Sequence, residues 1–171
     1  MESRSRSVAV VGAVAVLLVL AGCSGVPGDA TPTPDASGYH EPASEYLLTA
    51  AEFTNWEGNG TRAPGATPAG MESGRVLELR NGSSNLQIAL LVFESPADAR
   101  AFLAAQRETY REDGINATNV SVGDRAFGVT SLTETAVNAQ QANVYVQVTG
   151  TVPLNASEQY ARAQLRAVTD R

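Results

Sequence analysis

The run Leu86 to Phe93, LQIALLVF, restricts the fold more than any other stretch of the chain. Alternate side chains of a strand point to opposite faces, and here both sets are apolar: Leu86, Ile88, Leu90 and Val92 on one, Ala89, Leu91 and Phe93 on the other. Such a strand belongs in the interior of a sheet or under cover on both sides. The preceding Arg75 to Arg80, RVLELR, also alternates, and Asn81-Gly82 between the two runs tolerates the positive backbone angles of a tight hairpin. Two antiparallel strands are expected there.

A helix follows. Ser95 can cap it, Pro96 suits its first position, and Asp98 complements its positive end. Ala99, Phe102, Leu103, Gln106 and Tyr110 recur at helical spacing, and Gly114 is a natural stop. Further strands are expected at Arg125 to Thr130 and Ala142 to Thr149, while Thr135 to Gln141 is too polar to assign. Asn155-Ala156-Ser157-Glu158 reads as a capping box, with Ala161, Gln164, Leu165 and Val168 as the inward stripe of a last helix. The order strand, strand, helix, twice over, predicts an α+β fold: an antiparallel sheet of about four strands with two helices on one face.

Upstream, YLLTAAEF from Tyr46 reads as a short helix or turn entering the domain, followed by a glycine-rich loop from Thr54 to Gly74. Trp56, the single tryptophan, has two readings. It either pins this entry segment to the core or presents its ring to a ligand.

The first 22 residues form a different unit. A start carrying Arg4 and Arg6 precedes an uncharged run of Val, Ala, Leu and Gly, the layout of an export signal. Ser5 separates the arginines, so the sequence leaves the Sec and Tat routes open. Leu20-Ala21-Gly22-Cys23 resembles the lipobox of prokaryotic lipoproteins, which implies cleavage before Cys23 and lipid attachment to its sulfur. Cys23 is the only cysteine, so an intramolecular disulfide is excluded. An uncleaved membrane anchor across Val8 to Val26 is the alternative. Either way the remainder is placed on the outer face of the cytoplasmic membrane. Residues 23–45, rich in Pro, Thr, Gly and Ser, read as a tether, and 46–171 as one extracellular domain.

Composition excludes several functions. All twelve basic residues are arginine, and removal of residues 1–22 leaves 17 carboxylates against 10 arginines, a formal charge of -7. That sign argues against nucleic acid as a partner. The only histidine, His40, lies in the tether, so the domain has no imidazole, free thiol or lysine amine for nucleophilic catalysis or for a Cys/His zinc site. No cofactor or metal is expected. A carboxylate pair could still hydrolyse a glycoside, with Glu78, Glu94 and Asp124 as candidates, and Asp124 doubles as a turn residue.

Five of the nine asparagines begin Asn-X-Ser/Thr sequons: Asn59, Asn81, Asn116, Asn119 and Asn155. Asn81 and Asn155 have structural readings as turn and cap, which leaves Asn59, Asn116 and Asn119 as glycosylation candidates in expected loops. The segments FESPADARAFLAAQ, VGDRAF and NVYVQVTG resemble small extracellular lipoprotein domains of haloarchaea and, more loosely, actinobacterial lipoproteins of unknown function. Zero lysine together with high acidity resembles proteins of halophilic archaea, with GC-biased codon usage alone as the alternative. The resemblance implies an envelope protein with no assigned reaction. Three functions follow as expectations: a non-catalytic, lipid-anchored domain binding an envelope protein or small ligand, a glycosylated structural component, or a carboxylate-dependent envelope hydrolase.

Overall fold

The computed structural model describes residues 38–171. The export signal, Cys23 and the tether up to residue 37 lie outside the described residues. Seven strands, β1 (Glu57–Arg62), β2 (Met71–Asn81), β3 (Ser84–Phe93), β4 (Ala117–Asn119), β5 (Arg125–Thr130), β6 (Thr135–Gln141) and β7 (Val144–Gly150), form one sheet. Its order is β1-β2-β3-β7-β6-β5-β4, and every neighbouring pair is antiparallel. Three helices accompany it: α1 (Ala43–Tyr46), α2 (Pro96–Glu112) and α3 (Leu154–Thr169).

The α+β class stands, with three more strands than expected. β6 escaped notice because TAVNAQQ is polar, yet six of its seven residues are buried. Several of its polar groups find partners inside the protein, although Asn138 Nδ2 and Gln140 Oε1 do not: Asn138 Oδ1 accepts from the Tyr145 hydroxyl at 2.6 Å and from Gln147 Nε2 at 3.0 Å. Thr135 Oγ1 meets the Val152 carbonyl at 2.8 Å and Ser157 Oγ at 2.9 Å. β1 crosses the expected loop of residues 54–74, and its sequence EGNGTR is exposed throughout, so no apolar alternation marks it. Its pairing with β2 slips between Gly58 and Gly60, and Gly60 takes φ +108°, a bulge that glycine accommodates without strain.

The β2–β3 hairpin turns one residue later than Asn81-Gly82 suggests. Asn81 still pairs with Ser84, so Gly82 and Ser83 make the turn, and Gly82 at φ +57° holds the first central position, as a type II′ turn requires.

β3 lies between β2 and β7, and both of its faces are covered. Leu86, Ile88, Leu90 and Val92 pack with Ala161, Leu165 and Val168 of α3 and with Tyr46, Leu47, Leu48 and Phe53 of the entry segment. Leu91 and Phe93 pack with Ala99 and Leu103 of α2. The two long helices therefore cover opposite faces, which corrects the expectation of two helices on one face. With α2 and α3 both on one side, Leu91, Phe93, Phe127 and Tyr145 would be left in water.

α2 is capped as its sequence suggests. Ser95 Oγ accepts from the Asp98 amide at 3.2 Å. At the other end Gly114, φ +73°, sits in a Schellman motif, with Ile115 N–H on the Tyr110 carbonyl and Gly114 N–H on that of Arg111. α3 differs from expectation: it starts at Leu154 with Pro153 in the cap position and no side-chain cap, so Asn155 is an exposed first-turn residue. Ser157 turns inward to Thr135, and Glu158 pairs with Arg162 at 2.9 Å.

Packing also reaches further back than residue 46. Ala43 is buried, and Tyr39 is clasped by the buried Asn143, whose Oδ1 accepts the Tyr39 N–H at 2.7 Å while Nδ2 donates to the Tyr39 carbonyl at 2.8 Å. His40, next in line, is exposed.

Candidate functional site

α2 does not cover its whole face of the sheet. It crosses the middle, and a groove opens along each flank. On one flank, β2, β3 and β7 present Val76, Gln87, Ala89, Gln147 and Thr149 as a floor, with Phe102 and Gln106 of α2 as one wall. The opposite wall is the loop after β1, including Pro64 and Pro68, and the space enclosed is about 270 Å³. Two prolines and the short span between β1 and β2 hold this wall near the sheet.

The groove carries little acid–base capacity. Arg62 at its rim is paired with Glu78 at 2.7 Å, and the hydrogen bond from Arg62 holds the Glu78 carboxyl below its ordinary pKa. Tyr145 lines the floor but is fully buried, and desolvation pushes its phenol well above the ordinary value. The rest of the lining is carboxamide, hydroxyl or apolar, with no carboxylate. Such a surface can offer hydrogen bonds and an aromatic edge; it does not move protons near neutral pH.

On the other flank, Arg100, Leu103, Ala104 and Arg107 of α2 face Asn119, Arg125 and Phe127 across a cleft of about 440 Å³. Arg107 lies 5.5 Å above the Phe127 ring centroid and donates to Asn119 Oδ1 at 2.9 Å.

The candidates from sequence distribute as follows. Trp56 is half-buried on the α3 face, away from both grooves: its indole N–H donates to the Tyr160 hydroxyl at 3.0 Å, and the rings meet edge to face. Asn59 lies in β1 and Asn119 ends β4, so neither is in a loop; Asn116 is in the connection before β4, and all three are exposed. Glu78, Glu94 and Asp124 do not meet. Glu78 stands opposite Gln87, seven residues along β3 from Glu94, about 23 Å at strand rise. Asp124, before β5, lies about four strand spacings from β2, roughly 19 Å, and its Oδ2 accepts the Ala142 N–H at 2.9 Å. A glycosidase pair needs about 5 to 10 Å. Among the described residues, no three His, Cys, Asp or Glu side chains converge as a metal site would require.

Sequence reasoning missed both grooves, because their linings come from distant segments. The one local signal was the small, weakly apolar Ala89 among larger residues on the α2 face of β3, which leaves depth in the floor.

No protein-family model matches the chain, and no curated protein matches it significantly. Among solved structures it is similar to the extracellular domain of PknH from Mycobacterium tuberculosis, with a TM-score of 0.58. The likeness is one of fold. The two share 14% sequence identity over 77% of this chain and 100% of the mycobacterial one.

Proposed function

We propose that the chain is a lipid-anchored extracellular protein whose domain binds a ligand or partner, without catalysis, in the groove over β2, β3 and β7. The observation that carries this reading is the uncovered floor itself. On the α2 face of β3 and β7, Gln87, Ala89, Gln147 and Thr149 stay accessible between α2 and the 63–70 loop. Mixed polar and apolar lining with concave shape is what small-ligand and peptide sites have in common. The fold shared with an extracellular domain supports the location, and the LAGC motif supports the anchor. The lysine-free, acidic composition supports a high-salt origin.

The test compares the full-length protein with its Ala89→Trp variant, in which an indole fills the floor. Ligands or proteins recovered from envelope extract by the wild type are expected to be lost from the variant, at unchanged circular dichroism. Equal recovery by both would remove the groove from the proposal.

A second reading, a glycosylated envelope component, draws on a different observation. All five sequon asparagines are exposed, whereas the two buried asparagines, Asn138 and Asn143, lie outside sequons. Asn59 and Asn116 are the better acceptors, since the Asn119 carboxamide already holds Arg107 and the Ser157 hydroxyl of the Asn155 sequon is buried. The hydrolase reading gains no such support, because the three candidate carboxylates share no cleft.

A further inference from the structure

We infer that the second cleft, between α2 and β5, is a binding site for an oxyanionic group, a phosphate, sulfate or carboxylate, separate from the groove over β2, β3 and β7. The domain is acidic, yet three arginines converge here: Arg100 and Arg107 from α2 and Arg125 from β5. Heptad spacing puts Arg100 and Arg107 on the same flank of α2. Arg125 shares the α2 side of β5 with the inward Phe127, so all three arginines line one cleft.

None of the three pairs with a carboxylate. The ion pairs among the described residues use Arg62, Arg111 and Arg162 instead. Asp124 is the one carboxylate lining the cleft, and one of its oxygens is engaged by the Ala142 amide, which leaves a surplus of two positive charges. Arg107 is also held in place. The Phe127 ring beneath it and Asn119 beside it constrain the guanidinium, while its remaining N–H groups stay available. A planar fork fixed against an aromatic ring loses less freedom on meeting an oxyanion than a free side chain does. The apolar Leu103 and Phe127 at the back of the cleft lower the local dielectric and strengthen the attraction.

The same chemistry could come from a free inorganic ion or from acidic groups on an envelope polymer, and the experiment separates these sources. The full-length protein is titrated calorimetrically with inorganic phosphate, inorganic sulfate and an oligogalacturonate, at ionic strength held constant with chloride. Saturable binding of at least one probe is expected. It should weaken about tenfold for each guanidinium removed in Arg100→Gln and Arg125→Gln, and Arg80→Gln on β2 should leave it unchanged. The tighter probe identifies the source. No saturable binding of any probe, or binding that the cleft variants and Arg80→Gln affect alike, overturns the inference. Because Ala89→Trp leaves this cleft intact, binding here and capture in the other groove fail independently.

Discussion

A buried polar side chain is tolerated where neighbours satisfy it, and three such residues organise this domain. Gln164, on α3, bonds the Leu48 amide at 3.1 Å and the Tyr46 carbonyl at 2.8 Å, so the entry segment is stitched to the helix by one carboxamide. In sequence it was legible as part of the helix stripe, but its polar role was not, since the groups it satisfies lie more than a hundred residues away. Asn143 performs the same service for Tyr39 and Phe93. Tyr145 is the third, with its hydroxyl donated to Asn138 at 2.6 Å. Burial raises its pKa well above the ordinary tyrosine value, so above about pH 10 the unfolded chain releases this proton while the folded one retains it. The unfolded state then binds fewer protons, and stability falls with rising pH by at most about 1.4 kcal/mol per pH unit for this group. Tyr110 and Tyr39, shifted the same way chiefly by burial, add to the slope. Tyr145→Phe is therefore expected to flatten the alkaline limb, measured as urea midpoints between pH 8 and 11. A variant whose midpoint falls as steeply as the wild type would refute the assignment.

At the level of elements, legibility followed periodicity and caps. The two-sided alternation of β3, the Ser95-Pro96 start of α2 and the Gly114 stop all appear where the residues place them. Elements lacking such marks were hidden: β1 is wholly exposed, β4 has three residues, and β6 buries the Asn138 carboxamide, whose oxygen finds its partners on β7. The helix placement was recoverable, for a strand apolar on both faces demands a cover on each. Two glycines then separate two kinds of backbone constraint. At Gly82 a Cβ would meet open space, so Gly82→Ala costs only the left-handed conformation, about 1 kcal/mol. At Gly150, where β7 closes on β3, a Cβ would collide with the Asn85 carbonyl oxygen and lie 3.1 Å from Leu86 Cα. Backbone cannot yield as a side chain does, and Gly150→Ala is expected to cost about 2 to 3 kcal/mol. Denaturant midpoints should rank wild type, Gly82→Ala, Gly150→Ala. The reverse order of the two variants would mean that the hairpin turn, and not strand contact, limits the sheet.

For the whole molecule, the proposed attachment to a membrane requires a source. With a formal charge of -7 after Gly22, the chain is repelled by anionic lipid, so electrostatic adhesion opposes attachment. Under the proposed function, attachment would fall to the N-terminal segment, by lipid on Cys23 or by an uncleaved Val8 to Val26 anchor. The two differ in what a single oxygen-for-sulfur exchange does. If lipid on the thiol is the anchor, Cys23→Ser removes the acceptor, and the variant either leaves the membrane fraction or accumulates as a precursor still carrying its first 22 residues. If the apolar run is the anchor, the thiol is incidental: wild type and Cys23→Ser are then both membrane-bound, uncleaved and without lipid, and their masses differ only by the oxygen-for-sulfur exchange. Fractionation combined with intact mass distinguishes the outcomes, and the expected one is loss of both the lipid mass and normal processing. A wild type found uncleaved and without lipid, with Cys23→Ser equally membrane-bound and lighter only by the oxygen-for-sulfur exchange, would transfer the anchor from the cysteine to the hydrophobic run that precedes it.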